Sequence, residues 1–169
     1  MKKKIIKLKK ISFNDLNKEW VSWLNNRNTN KHSEKKNKKH TLKSQKEYLT
    51  DVLRDQTKIH FMIILNKKKI GTMLVSKISK KNRHCEISYM IGLKENWNKG
   101  IGFEAIKLAK KFILMKIKLN KIYAGIRSDN IGSKKILIKN KFKLEAKLKD
   151  YIYEKNVFYD RYIYSFIKK

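Results

Sequence analysis

The 169 residues are enough for one domain with a sizeable core, and no apolar run among them is long enough to cross a membrane. The formal charge of +30 invites nucleic acid as a partner, but the lysines are spread along the whole chain and arginine is scarce. Asn and Ile are abundant and Pro is absent, as AT-rich codon usage produces, so a solvated lysine surface is expected, one that steers anionic ligands in a salt-sensitive way.

The basic start Met1-Lys2-Lys3-Lys4 resembles the head of a secretion signal, but lysines interrupt the apolar part that follows. Alternation of Ile6 and Leu8 with Lys7 and Lys9 predicts a first edge strand instead. Residues 13–26 read as a helix with Leu16, Trp20, Trp23 and Leu24 on one face. Residues 27–43 are polar and aperiodic, a candidate binding loop. Ser44 opens a second predicted helix to residue 56, with Glu47 completing a capping box. Strands are predicted at 59–65, 70–78 and 86–91, the first of them buried on both faces, with a turn at 66–69.

Next comes Trp97-Asn98-Lys99-Gly100-Ile101-Gly102-Phe103-Glu104-Ala105. Ala105, Leu108, Ala109, Phe112 and Ile113 then recur at helical spacing, predicting a helix to about residue 118. Glycine allows a tight turn and leaves amides uncovered, and a helix N-terminus has unpaired N–H groups, so this junction suits a phosphate. A dinucleotide fingerprint needs an acidic residue about 20 positions on, after a second parallel strand, and none is suitably placed. A Walker loop needs Gly-Lys-Ser/Thr, which is missing. Downstream lie a predicted strand at 121–127, a helix at 131–140 capped by Asn130, and strands at 142–153 and 157–167 joined at 154–156. No repeat, linker or second domain interrupts residues 1–169.

Asn96 to Gly102 closely resembles the Arg/Gln-x-x-Gly-x-Gly/Ala pyrophosphate loop of the GNAT superfamily of acetyl-CoA-dependent N-acetyltransferases, with Trp97 in the Arg/Gln place. That variant is typical of the branch holding ribosomal-protein N-terminal and amino-sugar acetyltransferases. The element order matches over essentially the whole chain, as do Trp20 to Asn25, Glu86-Ile87-Ser88-Tyr89-Met90-Ile91 and Asn130-Ile131-Gly132-Ser133 with Lys139-Asn140-Lys141-Phe142. Lys141 stands where the family has glycine, and Leu137 where many members carry tyrosine. The resemblance implies an α/β (α+β) GNAT fold: a mixed, mostly antiparallel seven-stranded sheet flanked by about four helices, with splayed central strands binding acetyl-CoA.

It also implies roles. Met90, Ile91 and Gly92 line the pantetheine arm, a main-chain N–H near Met90 polarises the thioester carbonyl, and Trp97, Asn98, Lys99, Gly100, Ile101 and Gly102 take the pyrophosphate. Glu86 shares a strand face with Ser88 and Met90, opposite Cys85, Ile87 and Tyr89. It is the candidate base if partial desolvation lifts its pKa, with a structural acceptor as the competing reading. Ser133 and Asn130 are candidates to support the leaving thiolate, although an ordinary first-turn residue and a helix cap explain them as well. Trp23, Arg27, His40 and Thr41 are expected on the acceptor side.

His32, His40 and His84 lack metal-ligand spacing, so no metal is expected; His60 is expected in polar surroundings. Tyr151, Tyr153, Tyr159, Tyr162 and Tyr164 are expected to fill the terminal hairpin. Cys85 reads as core, and a lone cysteine suits a reducing compartment, so the expected location is the cytoplasm. The segment from Trp23 through Ser33-Glu34-Lys35 to Leu42 is similar to acetyltransferases of surface-glycan synthesis. The expected partner is therefore a small-molecule amine, a nucleotide-linked amino sugar, with no membrane insertion and a homodimer allowed for. Alternatives are a protein N-terminus, as on ribosomal proteins, and a non-catalytic acyl-CoA-binding or RNA-associated module.

Overall fold

In a computed structural model, residues 5–33 and 36–168 are described; the basic start at 1–4 and Glu34-Lys35 of the predicted loop lie outside the described residues. The described elements are β1 (Ile6–Lys10), α1 (Lys18–Asn25), α2 (Leu42–Arg54), β2 (Ile59–Leu65), β3 (Lys68–Ser79), β4 (His84–Ile91), α3 (Ile101–Phe112), β5 (Lys121–Arg127), α4 (Ile131–Lys139), β6 (Lys143–Glu154) and β7 (Val157–Ile167). The strands form one seven-stranded sheet in the order β1-β2-β3-β4-β5-β7-β6. Among the described strands, only β4 and β5 run parallel.

Alternation along β2 divides the core between the two faces of the sheet. Phe61 and Ile63 pack with Ile101, Ala105, Ile106 and Ala109 of α3 and Leu137 of α4. Met62, between them, packs on the other face with Trp20 and Trp23 of α1 and Leu49 of α2. Cys85 and Ile87 belong to the α3–α4 side, and Met90 to the α1–α2 side.

Several boundaries differ from the sequence reading, each for a local reason. The predicted helix at 13–26 is broken into a 3-10 turn at Phe13–Asp15 and α1, because Asn17 accepts a hydrogen bond from the Trp20 amide at 2.8 Å and starts a new helix. Thr41, not Ser44, caps α2. Thr41 Oγ1 accepts from the Ser44 amide at 3.1 Å, and Ser44 Oγ accepts from the Thr41 amide at 3.0 Å. The β2–β3 turn is only Asn66-Lys67, both left-handed, so β3 is longer than predicted. The strand β4 starts at His84, two residues early, and α3 gives way to a π-helical stretch, Ile113–Ile117, before left-handed Lys118. Lys141 adopts φ +67°, so a lysine takes up the left-handed conformation in the glycine's place.

His60 is not in polar surroundings. It is buried, with its ring 5.9 Å from that of Trp20 and Nδ1 3.4 Å from the Tyr48 hydroxyl. Tyr164 fills the core as expected, but Tyr151 and Tyr153 are exposed, because β6 lies at the sheet edge with most of its residues open to solvent.

Candidate active site

Strands β4 and β5 pair only at His84–Lys121, Cys85–Ile122 and Glu86–Tyr123, and then diverge. Each continues beyond that point, to Ile91 and Arg127, so a gap opens in mid-sheet. The hydrogen-bond parity of the flanking ladders identifies which backbone groups face it. The Gly92 amide donates to the Ile70 carbonyl at 2.8 Å, which continues the β3–β4 register and assigns Met90 and Ser88 to β3. Tyr89 and Ile91 therefore turn their N–H and C=O groups to the gap. On the far bank, the Ser128 amide donates to Asp160 of the β7 side at 2.9 Å, so even positions of β5 serve β7, and Gly125 and Arg127 face the gap. The amides near Met90 that face the gap thus belong to its neighbours, not to Met90, whose backbone is engaged with β3. Gly92 faces away as well: its carbonyl accepts from Thr29 Oγ1 at 3.0 Å, and a side chain there would run into the Trp23 ring.

At the mouth of the gap, Trp97 Nε1 donates to the Ile91 carbonyl at 3.1 Å and pins the glycine loop to the end of β4. The Trp97 amide donates to Lys94, so the loop's open amides come after it. Asn98 is left-handed, and Gly100, at φ +77°, is the N-cap of α3 and supplies no capping side chain. The first amide bonded within α3 is that of Glu104, to the Gly100 carbonyl at 3.1 Å, leaving Ile101, Gly102 and Phe103 with N–H groups unpaired inside the helix. A Cβ on Gly100 would meet nothing within 4 Å, whereas one on Gly102 would lie 3.1 Å from both Ile136 and Tyr89. Gly102 is therefore small for the sake of packing, and Gly100 borders open space beside the unpaired amides of α3.

Below the gap on the α1–α2 face, Glu86 has 12% of its side chain exposed and is held by two cations. Lys77 Nζ lies 2.6 Å from Oε2, and Arg161 Nη2 donates to Oε1 at 3.2 Å. The carboxylate in turn raises the Lys77 pKa. Nearer the mouth, buried Arg127 makes a two-point bond to Asp129 (2.6 and 2.8 Å), pairs with Glu154, and lies 4.2 Å from the centre of the Tyr159 ring. Lys36 also pairs with Glu154, and His32 Nδ1 lies 3.4 Å from Asp129, so the α1–α2 loop is tied to the β5 end and the terminal hairpin. Arg127 holds the Asp129 carboxyl below its usual pKa, and Lys36, with Arg127, does the same to Glu154. Sequence reasoning missed this cluster because Lys36, Arg127 and Glu154 lie far apart in sequence, and only the folded sheet and its terminal hairpin bring them together.

On the α3–α4 face, Asn130 caps α4 by accepting from the Ser133 amide at 3.1 Å, and Ser133 Oγ lies 3.3 Å from the Tyr89 hydroxyl. Leu137 is fully buried core. The acceptor-side candidates separate. Trp23 is buried, Thr41 is spent on its cap, and the His40 ring bonds Gln45 at 3.1 Å, while Arg27 is exposed. Among the described residues no cluster of His, Cys, Asp or Glu could hold a metal, and no helix is long and apolar enough to cross a membrane.

Known proteins carry the same architecture. The chain superposes on a spermidine N-acetyltransferase from Vibrio cholerae, in complex with CoA and spermine, with a TM-score of 0.86 and 20% identity, covering 96% of this chain and 95% of that one. A ribosomal L7/L12 α-N-protein acetyltransferase, RimL, in complex with coenzyme A gives a TM-score of 0.85 at 14% identity, over 96% and 93% of the two chains. In sequence, the uncharacterized N-acetyltransferase YoaA of Bacillus subtilis (strain 168) is 32% identical over 102 residues, which is 60% of this chain and 57% of that protein. The match thus spans under three-fifths of that relative's length. The family model described as Acetyltransferase (GNAT) domain matches residues 6–143, from the first strand through the gap, the glycine loop and α4. With the splayed strands and open helix N-terminus in the places that motif requires, this chain belongs to the GNAT acetyltransferase family.

Proposed function

We propose that the protein transfers the acetyl group of acetyl-CoA to the primary amine of a small acceptor, most specifically a nucleotide-linked amino sugar. The carrying observation is the gap between β4 and β5, which opens beside the uncapped start of α3. A pantetheine arm can complete the interrupted ladder through Tyr89, Ile91, Gly125 and Arg127 while the diphosphate takes the amides from Asn98 to Phe103. The acceptor enters from the α1–α2 face, and its nitrogen attacks the thioester carbon. A gap-facing β4 amide stabilises the developing oxyanion, and Glu86 takes the ammonium proton, exchanging its exposed Lys77 partner for the substrate. The sulfur leaves toward the α3–α4 face, where Ser133 and Asn130 stand.

The ion pairs around the acceptor side favour a neutral or anionic acceptor over a polyamine. Glu86, Asp129 and Glu154 are each matched to cations of the chain itself. A polycation would have to displace them against a net charge of +30. Exposed Arg27 is a cation available for the acceptor's phosphates. The test is a coenzyme A-release screen over free and nucleotide-linked amino sugars, peptides and polyamines. The reading expects turnover with the nucleotide-linked sugar, and a severalfold rise in its KM, but not in that of the free sugar, in Arg27→Ala. Turnover confined to peptides or to polyamines would overturn the acceptor class.

A further inference from the structure

Opposite Glu86, a partly buried phenol stands in the wall of the gap. Tyr89 belongs to the diverging part of β4, and its side chain passes between Gly102 of α3 and the first turn of α4, ending 3.3 Å from Ser133 Oγ. Ser133 follows the diverging part of β5 by way of the Arg127–Asn130 turn, where the Asn130 amide donates to the Arg127 carbonyl at 2.9 Å. The hydroxyl pair therefore joins the two banks across the α3–α4 face. In the proposed binding mode, an arm anchored at α3 and running inward between Tyr89 and Gly125 would bring its sulfur past this pair.

We propose that Tyr89 is a positioning residue: its phenol donates to Ser133 Oγ and so turns the serine's own proton toward the departing sulfur. A serine hydroxyl has one proton and can accept as readily as donate. The phenol is the stronger acid of the two, so it donates within the pair and leaves the serine hydrogen for the gap. Burial raises the Tyr89 pKa, against a smaller lowering by the Ser133 bond, so the phenol keeps its proton throughout. No charged side chain contributes to that shift. In the transfer, the amine nitrogen bonds to the acetyl carbon and the carbon–sulfur bond breaks with its electron pair passing to sulfur. The nitrogen's surplus proton goes to Glu86 and then to solvent, and the sulfur leaves as a thiolate hydrogen-bonded by Ser133, with no proton lost from Tyr89. A hydrogen bond donated into the serine strengthens the one the serine donates. This also accounts for a site that works with Leu137 in the buried core where a tyrosine could have stood.

This inference rests on the proposed function and is tested so that the two can fail separately. Tyr89→Phe keeps the ring that packs beside Gly102 and removes only the hydroxyl. The expected result is a fall in kcat of about tenfold, with the KM for acetyl-CoA and the melting temperature unchanged. Ser133→Ala should fall at least as far, and the double variant no further than Ser133→Ala alone. Unchanged kcat in Tyr89→Phe, or effects that multiply in the double variant, would overturn the role. A second readout needs no acceptor: ultraviolet titration of the bound coenzyme A thiol, which should ionise at higher pH in both variants than in the wild type. If that shift is seen while no amine is acetylated, the functional reading fails and the hydroxyl pair stands. If the thiol titrates identically in all three proteins, the hydroxyl pair is refuted whatever the substrate, and failure of the wild type to bind coenzyme A refutes both.

Discussion

Replacing Gly100 with valine forces a β-branched residue into φ +77° and puts its side chain into the open space beside the free amides of α3. The expected outcome is a folded protein that has lost acetyl-CoA binding, measured by calorimetric titration; wild-type affinity would remove the diphosphate from this loop. Gly102→Val should behave differently, because its Cβ meets Ile136 and Tyr89. It should lower the melting temperature first. Glu86→Gln should cut kcat by about 10²-fold or more near neutral pH with little change in acetyl-CoA affinity. A pH–rate profile decides: if rate and acidic limb both survive, Glu86 serves only to join β3, β4 and β7 through Lys77 and Arg161.

Elements meet at two places where one side chain sets the geometry. The Trp97 indole ties the glycine loop to the end of β4, and phenylalanine would keep the ring but not the bond to the Ile91 carbonyl. A neutral hydrogen bond of this kind contributes about 0.5–1.5 kcal/mol, so Trp97→Phe should raise the KM for acetyl-CoA severalfold at nearly constant kcat. Where α1, α2 and β2 converge, burial lowers the His60 pKa from 6.5 to about 4. The sign follows from proton uptake. Below pH 6.5 the unfolded chain binds a proton that the folded one refuses, so stability falls until pH reaches about 4. The span corresponds to about 3 kcal/mol. Melting temperatures measured from pH 7 to pH 4 should therefore decline, and His60→Phe should decline less steeply; parallel curves would mean that His60 is protonated in place.

The molecule as a whole carries +30. Its field extends about 10 Å at 0.1 M salt and about 3 Å at 1 M, which is short of the distance over which an approaching diphosphate is steered. The association rate for acetyl-CoA should thus fall several-fold between these salt concentrations, with a smaller change in dissociation rate, as stopped-flow binding would record. A salt-independent association rate would confine the lysines to solubility.

Local pattern was sufficient for most of the elements, and exact for β2, β5 and β7, since alternation and apolar spacing report which face of a segment is buried. The glycine loop, the Asn130 cap and the family itself were also legible, because each depends on residues adjacent in the chain. The starts of α1 and α2 were not, since Asn17 and Thr41 compete with neighbouring Ser and Asn residues of equal capping propensity, and the contacts of these helices decide between them. Which backbone groups face the gap was beyond the sequence as well, for strand parity becomes fixed only when β4 has paired with β3 and β5 with β7. The same holds for Glu154 with Arg127 and Lys36, and for Tyr89 with Ser133, where attraction acts over a few ångströms and only the closed sheet brings the partners within reach.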